Sequence, residues 1–130
     1  GSDVEQGTSA EVLKFISKVN PEIVIKYIDV LIRYIDYKVP RVRWGVPESI
    51  GNLAKEYPDG VAKAIPKLLG NTEDESTVVR WCAAYALTEI AKNNPSTQRK
   101  LIPRFEEFIE KEENNGVRNV YIKALKAIKF

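Results

Sequence analysis

Histidine is missing from this chain, and cysteine occurs once, at Cys82. These two scarcities exclude His-based acid–base catalysis, a Cys–His nucleophile, structural zinc and any intramolecular disulfide. The apolar tracts are short, each broken by a charge within a few residues, and none approaches the ~20 residues needed to cross a bilayer. Charge of one sign is lacking too. Twenty basic residues against 18 acidic ones leave a net +2, too balanced to announce nucleic acid or an acidic lipid surface. Gly45, Gly51 and Gly60 are too sparse to build a phosphate-cradling loop. No charged segment followed by an apolar one opens the chain, and a single free Cys fits a reducing, cytoplasmic setting.

What remains is a chain of 130 residues with 44% hydrophobic and 29% charged side chains, enough for one ordinary domain that buries roughly two-thirds of its surface. Gly1-Ser2 reads as a remnant of tag cleavage, and residues 1–8 as a flexible lead-in to a folded domain over 9–130.

That domain repeats itself. Pro21, Pro58 and Pro95 are spaced 37 and 37 residues apart, each after an apolar-periodic stretch. Arg43, Arg80 and Arg118 form a second ladder, each preceded by Val. Ile65-Pro66 and Ile102-Pro103 form a third in the same phase. The repeat units are approximately 21–57, 58–94 and 95–130.

Each unit carries two helical segments. In the second, apolar residues recur at helical spacing: Val42, Val46, Ile50 and Leu53, then Val79, Ala83, Leu87 and Ile90, then Val117, Tyr121, Leu125 and Ile128. Ser49, Ala86 and Ala124 hold one equivalent position, where a small side chain permits close helix approach. Thr8 and Glu11 read as a capping box opening a first helix over about 9–19. Asp59 and Ser76 read as caps of helices near 60–69 and 77–93. Pro66 and Pro103 predict a kink in the first helix of their units rather than a break, and Pro47 predicts a kink or a delayed start in the third helix. No alternating stretch suits a strand. The expectation is all-α: about seven helices, as three hairpins plus an N-terminal helix.

A two-helix unit with proline in its first helix and Val-Arg opening its second resembles the HEAT-repeat family, most closely over Val78-Val79-Arg80-Trp81-Cys82-Ala83-Ala84-Tyr85. The resemblance covers about 9–130 and implies an α–α superhelix, a solenoid whose second helices line a concave face. It also implies an acidic residue in the turn before each Arg, a place held by Asp36, Asp74 and Glu113. On function it says little, because such repeats serve many tasks.

Stepping 100° per residue from the apolar stripe brings a set of positions to that concave face. They are Trp44, Glu48, Gly51 and Lys55, then Trp81, Tyr85, Thr88 and Lys92, then Asn119, Lys123, Lys126 and Phe130. The two tryptophans read either as closing the seam between repeats or as a recognition strip, and the strip is preferred because Trp and Tyr are enriched at hot spots. Arg43, Arg80 and Arg118 read as structural, each bridging a turn acid and carbonyls of an adjacent repeat. Cys82 reads as a small buried residue. Glu48 and Glu89 are a weak carboxylate pair, and no catalytic constellation emerges.

The expectation is therefore a non-enzymatic scaffold that binds a protein or peptide on its concave face, with no metal, no cofactor and no membrane. The alternative is nucleic-acid binding in the manner of HEAT-like alkylpurine DNA glycosylases, with Lys55, Lys92, Lys123 and Lys126 on phosphates. The small net charge stands against it. Ile122 and the terminal Phe130 suggest self-association through the C-terminal repeat.

Overall fold

The computed structural model describes residues 2–128, and these form helices and turns. The first helix, α1 (Asp3–Val19), starts earlier than the capping box at Thr8 predicts. Ser2 is its N-cap, with a hydroxyl that accepts from the Glu5 amide at 3.2 Å. Asp3 and Glu5 in the first turn suit the positive end of the helix dipole. Residues 3–8 of the expected flexible lead-in are thus helical. Gly7 lets this turn lie close on the next long helix, for a Cβ there would come within 2.9 Å of Arg41 Cδ.

Three hairpins follow. The first joins α2 (Pro21–Val24), a 3-10 turn (Ile25–Tyr27) and α3 (Ile28–Arg33) to α4 (Pro40–Leu53). The second joins α5 (Pro58–Ala62) and α6 (Ile65–Asn71) to α7 (Thr77–Asn93), and the third joins α8 (Pro95–Lys111) to α9 (Asn115–Ile128). The prolines act in three ways. Pro66 stands in the first turn of α6, where its missing N–H has no partner to lose, so the expected kink is a break between α5 and α6. Pro103 lies inside an unbroken α8. Pro47 lies inside an unbroken α4, which is not delayed because Pro40 at its first position opens it. At the cap of α5 stands Tyr57, so Asp59 falls in the first turn instead. Ser76 does cap α7, accepting from the Val79 amide at 3.3 Å.

Two layers result. α1, α4, α7 and α9 pack side by side in chain order, and α2–α3, α5–α6 and α8 lie behind them. Leu53, Leu68, Leu87, Ile90, Leu101 and Phe105 are fully buried between the layers, each contributing about 1.5–3 kcal/mol by leaving water. Polar side chains tie one hairpin to the next: Asn71 Nδ2 donates to Ile35 O at 2.9 Å, and Asn94 Nδ2 to Pro58 O at 3.0 Å. The architecture is an all-α superhelix of stacked hairpins.

Candidate functional site

The front of the α1–α4–α7–α9 layer, away from α2–α3, α5–α6 and α8, is the face on which the candidate residues were expected. Its centre is α7. Trp81 and Tyr85, one turn apart, stack with ring centroids 5.7 Å apart and planes 1° apart. Trp81 is 38% exposed, Val78 47%, while Tyr85 is half-buried beneath them.

Tyr85 is held from below. Its hydroxyl donates to Asn52 Oδ1 at 2.5 Å, and Asn52 Nδ2 donates to Ser17 Oγ at 3.1 Å. Ser17 in turn donates to Lys14 O at 2.7 Å. This chain crosses α7, α4 and α1. Burial pushes the Tyr85 hydroxyl up to about 12, helped by the negative charges of Glu89 and Glu48, so it stays protonated and keeps donating. An indole on a ring fixed this way loses little freedom when a partner covers it.

Trp44 is not a second copy of Trp81. It is half-buried, and its indole Nε1 is buried without a hydrogen-bond partner. Of the two readings weighed for the tryptophans, closing the seam fits Trp44 and the exposed strip fits Trp81. Glu48 is drawn toward α1 and α7, 3.8 Å from Lys14 Nζ and accepting from Cys82 Sγ at 3.9 Å. Cys82 is buried, and desolvation, with Glu48 nearby, pushes its thiol up to about 12. Glu89 pairs with Lys92. The two carboxylates are therefore each engaged with a lysine and do not face one another as a pair.

Two expected surface positions turn out to be interior. Thr88 is only 2% exposed and donates back to Ala84 O at 2.8 Å. Gly51 is buried under the Tyr85 ring. Both lie where neighbouring helices close over the front, so neither can contact a partner. Lys55, Lys92, Asn119, Lys123 and Lys126 are exposed as expected, and Phe130 lies outside the described residues. Val78 and Asn52 were missed. The signal for Val78 was present, since 78, 81 and 85 follow the i, i+3, i+7 rule of one helix face.

The arginines form a separate system at the turns. Arg43 Nη1 lies 2.8 Å from Asp74 Oδ1, and Asp74 Oδ2 accepts from the Ser76 amide at 2.8 Å. Arg80 grips Glu112 with two bonds, Nε to Oε1 at 2.8 Å and Nη2 to Oε2 at 3.2 Å. Its Nη1 donates to the carbonyls of Asp74 and Glu75. Each of these two arginines thus reaches forward to the acid of the following hairpin's turn. The acid for Arg80 is Glu112 and not Glu113, because the end of α8 turns Glu112 inward to 9% side-chain exposure. Burial raises the Glu112 carboxyl, but the Arg80 bonds and the amides of Asn114 and Glu113 outweigh it and hold it below the usual carboxylate range. Arg118 has a different partner, Asn115 Oδ1 at 3.2 Å in its own first turn. Asp36 pairs with Lys67 instead of an arginine.

A hollow of about 350 Å³ opens beside Arg80, and two ion pairs form part of its wall, Arg80 with Glu112 and Arg104 with Glu107. Among the described residues no group of three or more His, Cys, Asp or Glu side chains could hold a metal ion, and no helix is long and apolar enough to cross a membrane.

Comparison with known proteins returns one family: residues 64–93, from the start of α6 through α7, match the HEAT repeat. No curated protein and no solved structure matches the chain.

Proposed function

Because residues 64–93 match the HEAT repeat, a unit that generally mediates protein–protein interaction, we propose that the chain is a non-enzymatic binding module. Its ligand is a segment of a partner protein laid across the front of α4, α7 and α9. The observation that carries this reading is the exposed Trp81, seated flat on a Tyr85 that three helices hold in place. Large rigid aromatics at the centre of a face are the residues on which binding energy concentrates. Val78 extends the apolar anchor, and Glu48, Lys55, Lys92, Asn119, Lys123 and Lys126 form a polar surround in which lysines predominate. Nucleic acid is the weaker reading, since the net charge is only +2 and Lys92 is already paired with Glu89. A single buried thiol fits a reducing compartment, and a cytoplasmic setting is part of the proposal.

The test compares proteins captured by the wild type, by Trp81→Ala and by Lys100→Ala, the last an exposed position on α8 outside this face, after melting curves establish that all three are folded. Trp81→Ala is expected to lose the captured partner, with Lys100→Ala retaining it. Identical capture by wild type and Trp81→Ala overturns the reading.

A further inference from the structure

Of the ten large apolar side chains exposed among the described residues, only Val78 and Trp81 lie on α7. The other eight belong to the N-terminal end of the stack. On α1 they are Val4, Val12, Phe15 and Val19, with Phe15 and Val19 each 64% exposed. On the segment from α2 to α3 they are Ile23, Tyr27, Val30 and Tyr34. Within α1, Gly7, Ala10 and Ser17 are buried, and Gly7 and Ala10 lie against residues of α4. Val12 and Val19 point the opposite way by the 100° step, out of the open end of the layer. Apolar side chains exposed together in this number mark a surface that another surface covers.

The opposite end differs. On α9 the apolar residues Val117, Tyr121 and Ala124 are buried, while Asn119, Lys123 and Lys126 are exposed. A head-to-tail contact would therefore lay an apolar face on a basic one. A contact of the N-terminal end with itself matches apolar to apolar and closes after two copies.

We propose that two copies of this chain pair through their N-terminal ends across a two-fold axis, with the α1 helices antiparallel. Self-association is thus moved from the C-terminal repeat, where Ile122 suggested it, to the other end. Two observations favour a second copy over another occupant. The exposed fractions of the eight side chains come to roughly 800 Å², one partner's share of a standard specific interface. The charges on α1 are also divided, with Asp3, Glu5 and Glu11 in its first part and Lys14 and Lys18 in its second. Glu11 and Lys18 flank Phe15 on one side of the helix, four residues before it and three after. Glu11 already pairs with Lys14 of its own helix at 3.3 Å, and an axis passing beside Phe15 adds the second copy's Lys18 to each such pair, twice. A groove of about 510 Å³ between α1 and α3, walled by Leu13, Val30 and Tyr34, opens at the same end and leaves room for side chains of the second copy.

Sedimentation equilibrium over a wide concentration range tests this on the whole chain. The wild type is expected to be a monomer–dimer system with no larger species. Phe15→Glu/Tyr27→Glu, both on exposed positions, should raise the dissociation constant at least ~100-fold with an unchanged melting curve in dilute solution, while Ile122→Glu should leave dimerisation intact. Glu11→Lys should weaken the dimer several-fold, and Glu11→Lys/Lys18→Glu should restore it. A wild type that stays monomeric at high concentration overturns the proposal. Open-ended oligomers, or a dimer indifferent to Phe15→Glu/Tyr27→Glu, overturn it as well. Partner capture through Trp81 is measured separately, so either reading can fail without the other.

Discussion

Gly51 lies directly beneath the ring of Tyr85: a Cβ built on Gly51 would stand 2.7 Å from Tyr85 Cε2 and 3.1 Å from the Ala86 Cα. The crossing of α4 and α7 is therefore set by a hydrogen atom, and the platform under Trp81 depends on it.

Gly51→Ala tests this with two opposed effects. Alanine favours the helix by up to ~1 kcal/mol, while overpacking a tight contact costs about 1–3 kcal/mol. The second should win, because an aromatic ring and a backbone Cα both stand in the way. Urea unfolding should show a net loss of about 1–2 kcal/mol, and the Trp81 stack should loosen, visible as a change in tryptophan emission. A stabilised variant with unchanged emission would show that α4 and α7 can separate freely.

Arg80→Ala should cost about 1.5–3 kcal/mol, since it leaves Glu112 largely buried without its charged partner. Arg80→Lys should not restore the loss, because one ammonium cannot hold both carboxylate oxygens and two carbonyls in a planar fork. Thermal melting of both variants checks it, with partner capture measured alongside. Normal stability with lost capture would move Arg80 from the frame of the protein to its binding surface.

The same pair sets an acid dependence. Glu112 has a folded-state pKa below its ordinary value, so its contribution is complete above the ordinary carboxylate pKa. It is lost as the pH falls through the depressed folded value. Urea unfolding from neutral pH downward should show a steeper acid decline in the wild type than in Glu112→Gln, which has no such proton to take up. Parallel curves for the two would mean that the pair carries none of the acid sensitivity.

Cys82 should be inert toward alkylating reagents in the native state. A buried thiol pushed up to about 12 is thiolate only about one part in 10⁵ at neutral pH, and the thiolate is the nucleophile. Modification should follow global unfolding and reach completion only in denaturant. Fast labelling of native protein would mean that α4 and α7 open locally around Glu48.

The long inner helices were legible in the sequence because their burial is strongly periodic, and Ser76 marked the start of α7 to the residue. The broken outer helices were not. Segments as short as α2, α5 and α6 are below the length at which a helix holds itself, so their breaks are decided by docking on the inner layer. Thr88 was misplaced for a related reason. α7 has α4 on one side, α9 on the other and α6 and α8 behind it, so only a narrow front strip stays open, and a wheel drawn for a half-exposed helix overstates it. Asn52 could not be singled out, because its role comes from meeting Ser17 and Tyr85, 35 residues before it and 33 after.

The arginine linkages also have a direction. Arg43 and Arg80 each reach ahead, by 31 and 32 residues, to a carboxylate in the next turn. Arg118 makes no such reach, and its Nε is buried without a partner. For protein engineering this makes the stack an oriented coupling, like a train whose couplers all face the same way. A hairpin exchanged between Arg43 and Arg80 must therefore bring both a carboxylate in its turn for the arginine before it and an arginine for the turn after it.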